Sequence, residues 1–148
     1  MLELGVARRD ELAQLVALLT ILFSEETEFT PDYEKQTRAL EEILSDESVG
    51  TVYVAREEGR VVAMASLLYT VSTASGGKAA LFEDLIVLPT HRGRGSATEL
   101  VAYMIAEARN RGVLRLTLLT DMQNERAQAL YRRLGFIDSS MKPMRIKL

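Results

Sequence analysis

His91-Arg92-Gly93-Arg94-Gly95-Ser96-Ala97 separates an apolar run, Leu85-Ile86-Val87-Leu88, from a helix-like segment that extends from about Gly95 to Arg111. A strand therefore runs into a glycine-rich turn that opens a helix. Such a turn leaves backbone N–H groups without intrahelical partners, at the helix end where the aligned peptide dipoles favour a phosphate. Gly93 and Gly95 let a ligand approach the backbone closely, and Arg92 and Arg94 supply counter-charge. A P-loop is excluded, because Ser96-Ala97 stands where the lysine pair would have to follow Gly95. A dinucleotide-binding turn fits in part: Thr98 replaces its third glycine, while Asp121 stands where a ribose-binding acid could lie.

Composition narrows the chemistry. A chain of 148 residues is expected to fold as one domain, residues 1–148, with a sizeable core. Without cysteine it has neither disulfides nor a thiol nucleophile, and a single histidine speaks against a histidine-based metal site, so no metal is expected. A net charge of −3 makes nucleic acid an unexpected partner. No apolar window reaches the length of a membrane span, so no membrane partner is expected and a cytoplasmic location is the default expectation.

Outward from the glycine turn, Leu2 to Ala7 reads as a short strand, and Leu12, Leu15, Val16, Leu19, Leu22 and Phe23 mark an amphipathic helix from about Asp10 to Ser24. Thr30-Pro31 reads as the cap of a second helix ending near Ser45, across an acidic loop with Glu25, Glu26 and Glu28. Thr51–Arg56 and Arg60–Thr70 form a hairpin about Glu58-Gly59, and Ala79–Leu88 is a further strand. After the third helix, Leu114, Leu116 and Leu118 alternate as a strand. Asn124 caps a fourth helix that Gly135 terminates, and short strands near Phe136 and from Met144 to Leu148 finish the chain. The strands flanking the third helix can pair in parallel through its crossover.

A second segment, Asn124-x-x-Ala127-x-x-Leu130-Tyr131-x-x-x-Gly135-Phe136, joins Arg92-x-x-Gly95-x-Ala97 in order and at the right spacing. Together they resemble the two signatures of the GNAT superfamily, the acyl-CoA-dependent N-acetyltransferases. Leu85-Ile86-Val87, Pro89 and Leu100-Val101 also sit where that family places comparable residues. The specific likeness covers Phe82 to Phe136; Ser96 departs from it by replacing the usual branched aliphatic residue. It implies an α/β fold, a mixed sheet of about seven strands flanked by four helices. It also implies acetyl-CoA as co-substrate, and a homodimer is the assembly that the superfamily often adopts.

By this resemblance Arg92, Gly93, Arg94, Gly95, Ser96, Ala97 and Thr98 hold the pyrophosphate, and the backbone of Leu85, Ile86 and Val87 pairs with pantetheine. Asn124 lies near the pantetheine arm, and Tyr131 falls on the family's general acid, protonated at neutral pH as a phenol of pKa ~10. Phe82-Glu83-Asp84-Leu85 resembles the acidic pair of diamine and polyamine members, which makes Glu83 the base candidate with Asp84 behind it. Strand alternation would put Glu83 on the face of Leu85 and Val87, with Asp84 opposite. His91 reads as a surface or phosphate-side residue. Glu25, Glu26, Glu28 and Asp32 either wall an acceptor pocket or form a wet surface, with Phe29 and Tyr33 able to add cation–π contact. The expected reaction is direct acetyl transfer to an amine in a ternary complex. A small primary amine (polyamine, aminoglycoside or amino-acid-like) is the expected acceptor. A protein N-terminus or lysine, and a catalytically silent acyl-CoA sensor, are the alternatives.

Overall fold

The computed structural model describes residues 1–148 in the order β1 (Glu3–Val6), α1 (Leu12–Glu25), α2 (Tyr33–Ser45), β2 (Gly50–Glu57), β3 (Arg60–Ser72), β4 (Gly77–Val87), α3 (Ser96–Asn110), β5 (Leu116–Leu118) and α4 (Glu125–Arg133). The strands lie side by side in chain order, antiparallel from β1 to β4, and β5 joins β4 in parallel after the α3 crossover. Glu58 and Gly59 both have positive φ, 50° and 78°, the tight hairpin turn whose twist matches the strands it joins.

Interior strand β2 is buried on both faces, and its alternation divides the core. Tyr53 and Ala55 pack with Leu67, Phe82, Leu100, Val101 and Met104 on the side of α3. Val52 and Val54 pack with Leu15, Val16, Leu19, Leu40, Met64 and Ile86 on the side of α1 and α2. Apolar residues at helical spacing on one strip of each helix cover the two faces of a sheet that alternates with period two. Gln36, buried between α1 and α2, donates to the Val16 carbonyl (3.2 Å) and the Thr20 hydroxyl (3.0 Å) and accepts from the Asp32 amide (2.8 Å). It thereby fixes where the loop between those helices begins and ends.

Several local expectations change. The N-cap of α2 is Asp32, which accepts from the Lys35 amide at 3.1 Å, and not Thr30-Pro31. A 3₁₀ turn over Arg9–Glu11 precedes α1 because Glu11 is drawn inward: Arg56 donates to both of its carboxylate oxygens at 2.7 Å. That pair is buried on both sides and pulls the Glu11 carboxyl below its ordinary range, chiefly through the Arg56 hydrogen bonds. The strands expected near Phe136 and over Met144–Leu148 do not form, so the sheet has five strands rather than seven. Alternation makes a strand only when one face is covered, and Met144 and Ile146 are 89% and 81% exposed. No helix is long and apolar enough to cross a membrane.

Candidate active site

Gly93 and Gly95 have φ of 78° and 80°, and a Cβ on either would meet nothing of the chain within 4 Å. Their glycine identity therefore answers to backbone conformation and to whatever approaches from outside, not to internal packing. Gly95 is the N-cap of α3, and the Glu99 amide is the first to bond back, to the Gly95 carbonyl at 3.0 Å. The amides from Gly93 through Thr98 have no backbone acceptor and lie at the positive end of the helix. Ser96, Ala97 and Thr98 form the first turn, with Ser96 buried beneath it.

The arginines divide their work. Arg92 donates to both carboxylate oxygens of Glu25, at 3.0 and 2.8 Å, and through Nε to the Val87 carbonyl at 3.0 Å. Its charge is thus engaged at the end of α1. Arg94 is exposed and outside the chain's ion pairs, so it is the available counter-charge in the turn. His91 turns toward Glu57, with Nε2 hydrogen-bonded to that carboxylate, and so lies away from the carboxylates described below.

Beside the turn the sheet opens. β5 pairs with β4 only at Ala80, Leu81 and Phe82, while β4 continues to Val87 with no strand on that side. Leu85, Ile86 and Val87 line this opened edge, held on the other side by β3 through Met64 and Ala63. An extended ligand can add to such an edge by main-chain hydrogen bonds, with its anionic end at the helix N-terminus.

A bulge shapes the mouth of the opening. Asp84 has φ of 58°, left-handed for a residue with a side chain, and the register shifts so that Glu83 faces Ser66 while Ile86 faces Met64. Ser66 and Met64 share a face of β3, so Glu83 shares the face of Ile86 and not that of Leu85 and Val87. Simple alternation fails here because the extra residue resets it. Ser66 Oγ donates to the Glu83 carbonyl at 3.0 Å and lies 3.4 Å from the Asp84 carboxylate. Burial, then the neighbouring Glu83 and Glu26 charges, push the Asp84 carboxyl up to about 6.

Glu26, just past α1, is the hub of this charge. Its own carboxyl is raised by burial and by Glu28, Asp121 and Glu83. Glu28 pairs with Arg145 at 2.8 Å, whereas Glu26, Glu83, Asp84 and Asp121 form no ion pair. Tyr131 reaches the same region from α4. Its ring stacks edge-on against Phe82 at 5.7 Å and Phe136 at 5.9 Å, while burial and then the Glu26 charge raise its phenol above the ordinary range. Asn124 caps α4 by accepting from the Ala127 amide at 3.1 Å.

A family model described as the acetyltransferase (GNAT) family matches residues 15–136. The chain belongs to the GNAT acetyltransferase family. An uncharacterised N-acetyltransferase of Mycobacterium tuberculosis is 30% identical over 95 residues, which are 64% of this chain and 58% of the relative. The chain thus matches a little under three-fifths of the length of such curated relatives. A possible acetyltransferase of Clostridium difficile 630 superposes with a TM-score of 0.90 at 21% identity, covering 100% of this chain and 98% of that one. A predicted acetyltransferase of Clostridium acetobutylicum, solved with acetyl-CoA, superposes with a TM-score of 0.80 at 20% identity, covering 99% and 96%. These superpositions carry the GNAT fold.

Within this GNAT chain Glu26 acts on both the Asp84 carboxyl and the Tyr131 phenol, Glu83 stands on the Ile86 face beside the bulge, and the Gly93–Thr98 amides lie beyond the end of β4. Sequence reasoning did not single out Asp121 as a member of the acidic group, nor Glu26 from the other acids of its loop. Ser66 was also missed. The only signal for Glu26 was the acidic run itself, and charge runs are most often solvated.

Proposed function

We propose that the chain transfers an acetyl group from acetyl-CoA to a small cationic amine by direct attack in a ternary complex. The observation that carries this reading is a set of carboxylates outside every ion pair, Glu26, Glu83, Asp84 and Asp121, whose charges act on one another around the Asp84 bulge, with Glu26 also acting on Tyr131. Carboxylates without counter-ions attract an ammonium group, which in turn relieves their mutual repulsion. The free amides of Gly93–Thr98 and the Arg94 guanidinium suit the pyrophosphate, and the opened edge at Leu85–Val87 suits an amide-bearing arm. Asn124 sits at the cap of the helix that carries Tyr131.

The ammonium must lose a proton before it can attack. Asp84, with its carboxyl near 6, is largely ionised at neutral pH yet basic enough to accept that proton, and Glu83 stands beside it to accept it directly or through water. The neutral nitrogen then attacks the thioester carbonyl carbon. The new N–C bond forms as the C–S bond breaks, and the departing thiolate takes the Tyr131 phenolic proton. The proton that the nitrogen sheds as the amide forms returns to the phenolate through water, so that the products are a neutral amide and CoA thiol. Burial keeps that phenol protonated until it is needed.

The acidic mouth supports a polyamine, diamine or aminoglycoside over a neutral acceptor, in keeping with the likeness of Phe82–Leu85 to polyamine-type members. An amine-library screen reading released CoA tests this, with diamines, polyamines, aminoglycosides, amino acids and peptides carrying free N-termini or lysines. Turnover is expected with dications and polycations ahead of monocations. Turnover confined to peptides would overturn the acceptor class, and acetyl-CoA binding without turnover on any amine would point to a sensor.

A further inference from the structure

The acidic loop that follows α1 is tied to the cofactor turn by one side chain. Arg92 reaches 67 positions back to hold Glu25 through both carboxylate oxygens, and the same guanidinium holds the end of β4 at the Val87 carbonyl. Glu25 is the last residue of α1, and Glu26, its immediate neighbour, carries the charge that acts on Asp84 and Tyr131. Arg92 thus joins three things with one planar group: the turn that opens α3, the end of the slotted strand, and the start of the loop over the acidic mouth. A bidentate arginine–carboxylate pair fixes orientation as well as distance, which a single-point contact does not. The Arg92 hydrogen bonds hold the Glu25 carboxyl below its ordinary range, so both partners are charged at neutral pH.

We propose that Glu25 is a positioning residue for the acceptor, acting through Arg92: it holds Glu26 over the acidic mouth and makes ordering of the cofactor turn and ordering of this loop a single event. This rests on the acceptor assignment given above. Glu25 itself touches neither substrate, because its two oxygens are taken by Arg92. The two acids therefore divide. Glu25 supports the loop, and Glu26 faces the amine. With Arg92 engaged by Glu25, the amides of Gly93–Thr98 and the Arg94 guanidinium remain to hold the pyrophosphate.

Amide hydrogen exchange on the full chain, with and without CoA, tests the link without any amine. In the wild type, CoA is expected to slow exchange at the amides of residues 93–98 and also, at least threefold, across residues 26–32. In Glu25→Gln the turn should be protected as before, with the slowing over residues 26–32 lost. Equal slowing of the loop in both proteins, or none in the wild type, would overturn the link. Steady-state kinetics with 1,3-diaminopropane supply the second arm. Glu25→Gln is expected to raise the amine KM about five- to twentyfold, with kcat within about threefold and the acetyl-CoA Kd from calorimetry within about twofold. An exposed pair contributes little to global stability, so a parallel loss in kcat, both affinities and Tm would indicate a merely structural role and refute the proposal. Glu26→Gln separates the two layers. If it raises the amine KM and Glu25→Gln does not, the positioning role alone fails. If it leaves the amine KM unchanged, the acceptor assignment fails and takes the role of Glu26 with it.

Discussion

Replacing Asp84 by Asn should make the protein more stable at neutral pH while removing the acid limb of its activity. The carboxyl is raised from the usual 3.8 of an aspartate to about 6, first by burial and then by Glu83 and Glu26. At about 1.4 kcal/mol for each tenfold change in proton affinity, ionised Asp84 costs the folded state about 3 kcal/mol. The sign follows from proton counts: between 3.8 and about 6 the folded chain keeps a proton that the unfolded chain has released, so the contribution of this group falls as pH rises through that window. Asn carries no charge and, like Asp, visits left-handed backbone, so the bulge at φ 58° is retained. Urea unfolding should therefore show Asp84→Asn more stable than wild type at about pH 7.5, by an amount approaching that figure, with the gain vanishing below about pH 4. In parallel, wild-type kcat/KM should climb about tenfold per pH unit below about 6, and that limb should be absent in the variant. Equal or lower stability of Asp84→Asn at neutral pH would refute the burial argument. An unchanged acid limb would remove Asp84 from proton transfer.

Tyr131→Phe keeps the ring contacts with Phe82 and Phe136 and deletes only the phenol, so Tm should barely move while kcat falls about 10²- to 10⁴-fold; unchanged single-turnover rates would return Tyr131 to a packing role. Gly95→Val places a branched side chain at φ 80° where the chain leaves open space, so calorimetry should show acetyl-CoA binding weakened at least about tenfold with the fold retained in circular dichroism. Glu11→Ala leaves the buried Arg56 guanidinium with only the longer Glu3 contact (3.3 Å) and the Val6 carbonyl, and should lower the unfolding free energy by about 3 kcal/mol, the lower end of the cost of breaking a buried pair, in urea titrations.

Much of the scaffold was legible because it is specified locally. The Glu58-Gly59 hairpin, the left-handed glycines before α3 and the Asn124 cap each follow from backbone preferences or hydrogen bonds within a few residues. The apolar spacing of α1 and α3 likewise declares which strip of each helix is covered. The glycine turn before α3 was readable for the same reason, since its amides are freed by the start of the helix itself.

Tertiary structure decided what depends on partners distant in sequence. The bulge at Asp84 exists only because β4 must keep register with β3 on both sides of it, and it alone turns Glu83 to the face of Ile86. The Glu25–Arg92 and Glu11–Arg56 pairs, 67 and 45 positions apart, leave no periodic trace, because ion pairs need only proximity and not spacing. Conversely, the alternation of Met144–Leu148 looked like a strand but remains exposed, because period two has structural meaning only against a covered face. The sequence by itself determined the local turns, caps and buried strips, which short-range sterics and hydrogen bonds fix. Only the tertiary structure determined that Glu26 acts on both Asp84 and Tyr131 while Glu25 and Glu28 are held in ion pairs, because long-range packing sets those separations.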